Sequence, residues 1–91
     1  MNDITFNTVW ERIIYNQGKV FCTVTGLKFT YSIEGDYLIT DRTKYKLPKT
    51  DFARAFERMP IPSPSCISKI VRGPSYIWAI LNDHRISKED W

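Results

Sequence analysis

Histidine, cysteine and glycine are scarce in this chain, with one, two and four respectively among 91 residues. The lone His84 and the two cysteines, Cys22 and Cys66, lie without any Cys-x-x-Cys pair, which leaves too few ligands for an ordinary protein-only zinc finger. Gly18, Gly26, Gly35 and Gly73 are scattered, so there is no glycine-rich phosphate loop. Apolar runs are short as well. The longest, Tyr76 to Leu81, is far below the length that crosses a bilayer, and no membrane is expected among the partners. Met1 to Thr5 is polar and carries Asp3, with no basic region followed by an apolar run; no secretory signal is expected, and a cytoplasmic location is the default. In that setting both thiols are expected to be reduced, Cys22 as a small core residue and Cys66 exposed after a run of prolines.

What the chain does hold is apolar and aromatic content, 43% and 14% of its residues, which supports a folded globule. Its length suits one small domain, residues 1–91, and not two. The central stretch, Lys19 to Arg42, reads as a three-stranded antiparallel meander with two-residue turns at Gly26-Leu27 and Gly35-Asp36. Those turns pair Val24 with Phe29, Cys22 with Tyr31, Val20 with Ile33, Ile33 with Leu38 and Tyr31 with Thr40, all on one apolar face. Phe21, Thr23, Thr30, Ser32, Glu34, Tyr37, Ile39 and Asp41 fall on the other. That mixture suits a half-solvated sheet, or a surface that receives the C-terminal segment.

Helical spacing flanks the meander. Phe6, Val9, Trp10, Ile13 and Ile14 form an amphipathic stripe, begun by Thr5 or by a Thr8 and Glu11 capping box and closed at Gly18, with Glu11, Arg12 and Asn16 outside. Thr50 is placed to cap a second helix over 51–59, with Phe52, Phe56 and Met59 inward. Pro60, Pro62 and Pro64 then alternate through an extended connector, and Cys66 to Arg72 is compatible with an edge strand or a helical turn. Pro74 opens a last helix, apolar all round from Tyr76 to Leu81, which either closes the core or faces a partner. The fold class is therefore α+β: helix, three-stranded antiparallel meander, helix, proline-rich connector, and a C-terminal apolar helix packed on the sheet.

The net charge of +3 is unevenly spread. Between Arg42 and Arg58 six basic residues face two acidic ones, which is +4, so the remainder of the chain sums to −1. Arg42, Lys44, Tyr45, Lys46, Lys49, Arg54 and Arg58 make up a basic loop and helix, suited to the phosphates of nucleic acid or another polyanion, with Tyr45 available to stack. A solvated charged face would look the same. The order helix, meander, helix is similar to that of double-stranded RNA-binding domains, whose second helix presents lysines to phosphates. Here that start holds only Lys46, Lys49 and Thr50, and the connector and last helix are additional, so no family is assigned.

Catalysis has little support. Cys66 with His84 could serve as nucleophile and base, and Asp36 with Asp41, or Asp83 with Asp90, as acid and base, but nothing in their spacing brings either set together. The sequence thus predicts a non-enzymatic binding module with no cofactor and no metal. Nucleic acid or another polyanion is the first partner. The alternative is a protein-binding inhibitor, adaptor or subunit, such as a bacterial or phage regulatory or counter-defence protein, acting through Tyr76, Trp78 and Trp91. Homodimerisation through the last helix is a further option.

Overall fold

Thr5 begins α1 (Phe6–Tyr15) as the periodicity predicts, its hydroxyl accepting from the Thr8 backbone N–H in the computed structural model, which describes residues 4–91. Met1 to Asp3, within the polar stretch weighed for a signal, lie outside the described residues. Val9, Trp10 and Ile13 are buried. Ile14, expected inside, is exposed, whereas Asn16, expected outside, is buried. The reason is that Asn16 has left the helix and closes it, its backbone N–H and its side-chain amide both donating to the Arg12 carbonyl.

The first hairpin departs from its expected register. β1 (Phe21–Cys22) and β2 (Lys28–Phe29) pair Phe21 with Phe29 and Cys22 with Lys28. Gly26 closes the turn instead of opening it: its N–H bonds to the Thr23 carbonyl, its φ is +93°, and the Thr23 N–H reaches the Leu27 carbonyl at 2.9 Å. The result is a three-residue loop with a left-handed final residue, a common hairpin solution. The Thr23 hydroxyl secures it by accepting from the Leu27 N–H at 3.0 Å. The shift from the expected pairing is odd, so the faces exchange. Phe21 is 1% exposed and Thr23 is buried, whereas Val20 is 53% exposed and Val24 and Cys22 are also outside. Neither cysteine is bonded to the other.

The second hairpin is as expected. β3 (Tyr31–Glu34) and β4 (Tyr37–Thr40) pair Tyr31 with Thr40 and Ile33 with Leu38 around the Gly35-Asp36 turn, where Gly35 has φ +59°. The third strand of this antiparallel sheet is not the first strand of the chain. It is β5 (Leu47–Pro48), which pairs Leu47 with Leu38 and Pro48 with Tyr37. On the other side, the edge of β3 is covered by the loop after α1: Gly18 N–H donates to the Tyr31 carbonyl, and Gln17 Oε1 accepts from the Ile33 N–H. Such cover removes a template for unwanted strand pairing. Ser32, Glu34 and Tyr37 remain exposed on the outer face, so the C-terminal segment does not cover them.

α2 (Lys49–Phe56) follows β5 directly, with Pro48 and not Thr50 at its N-cap. No side chain caps it, since proline carries no side-chain acceptor, and the Lys49 N–H is met instead by the Asp36 carbonyl at 2.7 Å. The proline connector folds into a 3-10 turn over Pro64–Ile67. α3 (Pro74–Leu81) starts after Gly73, whose φ is +62° and where an added methyl group would come within 2.8 Å of a Leu47 methyl. Ile77, Ala79, Ile80 and Leu81 are buried, and Tyr76 meets Phe29 of the first hairpin edge-on at 5.0 Å. This apolar helix closes the core, as one of its two expected roles required.

α4 (His84–Ser87) is capped by Asp83. Arg12 ties the tail down by donating to the Ile86 carbonyl at 2.9 Å and pairing with the Asp90 carboxylate at 2.7 Å. Among the described residues no helix is long and apolar enough to cross a membrane.

The register makes a direct prediction. Phe21→Ala should lower unfolding stability in urea by about 3–5 kcal/mol, the usual loss for a buried aromatic. Cys22→Ser should change it by no more than about 0.5 kcal/mol. The reverse ranking would restore the register with Cys22 inside.

Candidate nucleic-acid interface

Asp51, in the first turn of α2, organises the chemistry around the basic segment. It is buried, and both of its carboxylate oxygens are used. Oδ1 accepts from the Arg54 guanidinium at 3.1 Å and Oδ2 from the backbone N–H of Arg72 at 2.9 Å. A buried carboxylate is tolerated when its lone pairs are met in this way. One acidic group thus joins α2 to the chain that enters α3.

Arg72 is the residue the sequence did not single out. Its guanidinium lies over the Tyr45 ring, 5.4 Å from the centroid. Tyr45 keeps 38% of its surface in solvent, and its hydroxyl lies beside Gly73. A side chain at Gly73 would crowd this corner, and its left-handed backbone independently favours glycine. Lys44, next in the chain, is exposed and forms no ion pair among the described residues. Tyr45, Arg72 and Arg54 are therefore linked through the ring contact and Asp51, and Lys44 is exposed beside Tyr45 in the chain.

The other expected contacts have separate partners. Lys46 reaches Glu34 at 3.5 Å and lies over the Tyr37 ring, on the outer face of the three-stranded sheet. Both ends of that ion pair are more than half exposed, so it contributes little stability while offsetting a charge. Lys49 is half-buried, with its ammonium 5.7 Å from the centroid of the Trp10 ring. Arg42 donates to the Lys28 carbonyl at 2.9 Å, which holds it against the first hairpin. Arg58 is exposed just beyond α2.

The aromatic residues of the C-terminal segment are partly buried against the core. Tyr76 meets Phe29, the Trp78 indole N–H donates to the Ile61 carbonyl at 3.0 Å, and that of Trp91 donates to the Leu81 carbonyl at 2.9 Å. The Trp91 ring also meets Phe56 edge-on at 5.3 Å. Cys66 lies 3.8 Å from the Ser63 hydroxyl, and His84 is exposed at the start of α4. Among the described residues no group of three His, Cys, Asp or Glu side chains converges as metal ligands would.

A second charged cluster lies at the opposite end of the sequence. Arg85 forks onto the Asp83 carboxylate at 2.8 and 2.9 Å, donates to the Val20 carbonyl at 2.7 Å, and stacks on Phe21 with its guanidinium carbon 4.0 Å from the ring centroid. Burial pushes the Asp83 carboxyl upward, but the hydrogen bonds and charge of Arg85 outweigh it and hold the group below its ordinary value. The bond to Asp83 raises Arg85 in turn. Burial also drives the nearby Tyr31 phenol well above its usual range, against the pull of Arg85.

The depressed Asp83 value makes its stabilisation complete above the unfolded-state pKa and lost as pH falls through the folded one. Stability should therefore decline below about pH 4 in part through this group. Asp83→Asn should flatten that decline in urea unfolding compared between about pH 5 and about pH 3. An unchanged slope would show that the Arg85 fork carries no linkage.

In comparisons with known proteins, the chain matches no family model, no curated protein and no solved structure.

Proposed function

We propose that this protein is a non-enzymatic binding module that contacts nucleic acid or another polyanion through the surface around Lys44, Tyr45, Arg54 and Arg72. The observation that carries the reading is the Arg72 guanidinium held over the Tyr45 ring, with the Arg72 backbone joined through the buried Asp51 carboxylate to the exposed Arg54, and with Lys44 exposed next to Tyr45 in the chain. Asp51 is turned inward, so it presents no free carboxylate oxygen to an approaching phosphate. Lys44 and Arg72 point charge outward, and Arg54 remains 61% exposed despite its bond. Phosphates gain from such cations chiefly by releasing condensed counterions, which makes the affinity salt-dependent. Two free, exposed thiols suit a reducing, cytoplasmic setting.

A protein partner is the second reading. What favours it is the exposed first hairpin, where Val20 and Val24 are both more than half in solvent, and not the C-terminal aromatics that support the core.

Fluorescence anisotropy with labelled nucleic acid separates the two. Binding at about 50 mM salt should weaken steeply by about 200 mM, and the Lys44→Glu, Arg72→Glu double variant should bind at least about tenfold more weakly at the lower salt. Val20→Asp with Val24→Asp should leave that binding intact. A salt-insensitive signal, or one lost only in the valine variant, would overturn the polyanion reading.

A further inference from the structure

We infer that the ligand of this surface is a single strand, held by a base stacked at Tyr45 as well as by its phosphates; the inference rests on the polyanion reading above. The basis is the pairing of Tyr45 with Arg72. A guanidinium over a phenol ring forms a layered, positively charged plate, and Tyr45 as a residue keeps 38% of its surface in water.

Another exposed cation of the basic segment is occupied differently. Lys46 is paired with Glu34 beside Tyr37, so the Tyr37 ring is flanked by a neutral ion pair and not by net positive charge. Among the described residues the carboxylate tied to Arg72 is Asp51, and it accepts from the Arg72 backbone while its other oxygen takes Arg54. The Arg72 guanidinium is thereby left to the ring.

The plate is also held in place. The Arg72 backbone is fixed by Asp51, Gly73 adopts its left-handed conformation directly after it, and Leu47, two residues beyond Tyr45, is locked in β5 and fully buried. Little ordering remains for a ligand to impose, which favours affinity. A base can stack on such a plate with either the ring or the guanidinium plane, and any of the four bases offers the face required. A duplex cannot do this without opening, because its bases are already stacked on one another. It could offer Lys44 and Arg54 only phosphates. The structure therefore points to base stacking as the source of discrimination and the cations as the source of general attraction.

The test compares three labelled ligands of equal length: a base-bearing single strand, the same strand made of abasic sugar phosphates, and a duplex. The wild-type chain should bind the base-bearing strand several-fold more tightly than either of the others. Tyr45→Leu should remove about 5- to 100-fold of that affinity while leaving abasic binding unchanged. Tyr45→Phe should retain it, since the ring and not the hydroxyl stacks, and this variant also guards against a simple folding defect. Arg72→Lys keeps the charge but not the plane, and should lose part of the same preference. Equal affinity for base-bearing and abasic strands, with Tyr45→Leu silent, would overturn the stacking inference and leave the polyanion reading standing. Tighter binding of the duplex would do the same. No binding of any of the three at low salt would overturn both.

Discussion

Burial of the Phe21 ring against Phe29 and Tyr31, at centroid distances of 6.1 and 5.2 Å, is the contact through which the separate elements are joined. Each of the three rings reaches a different helix. Tyr31 donates its hydroxyl to the Ile13 carbonyl of α1, Phe29 meets Tyr76 of α3, and Phe21 lies beneath Arg85 of α4. The small two-stranded sheet would be marginal alone. Its aromatic face, Phe21 and Phe29, together with Tyr31 of β3, is instead the hub on which three helices close, and the Thr23 loop matters because it turns that face inward. A register with Cys22 inside would turn Phe21 away and leave Arg85 and Tyr76 without their present partners.

Asp51 has a comparable organising role for the candidate site. Its two oxygens connect the start of α2 to the segment entering α3, and that segment carries Arg72 onto Tyr45. Tyr45 and Arg72 lie in the short connections that enter β5 and α3, and Asp51 ties the second of these to α2. Asp51 is buried and its charge is offset by Arg54, so the uncompensated positive charge of this surface rests on the exposed Lys44 and Arg72. Lys46, Lys49 and Arg42 show the opposite outcome. Each is engaged by Glu34, by Trp10 or by the Lys28 carbonyl, although all belong to the same stretch of sequence.

Local pattern was sufficient wherever neighbours in the chain decide the structure. The stripe from Phe6 to Ile13, its Thr5 cap, the Gly35-Asp36 hairpin and the Pro74 start of α3 are all short-range, and each could be read directly. The first hairpin failed for a definable reason: a glycine at a turn can open it or close it, and here the Thr23 hydroxyl and the packing of Phe21 choose the latter. Lys44, Tyr45 and Arg54 were legible as a basic segment. Arg72 was not, since it meets Tyr45 through a contact that no sequence spacing announces.

The sequence by itself determined the α+β class, the order of its main elements and the concentration of positive charge between Arg42 and Arg58, because these follow from periodicity, turn chemistry and composition. Only the tertiary structure decided which strand completes the sheet, which face of the first hairpin is buried and which cations stand together around Tyr45. Those outcomes depend on long-range packing and on a buried carboxylate that must find donors wherever the folded chain brings them, and residues far apart in sequence supply them.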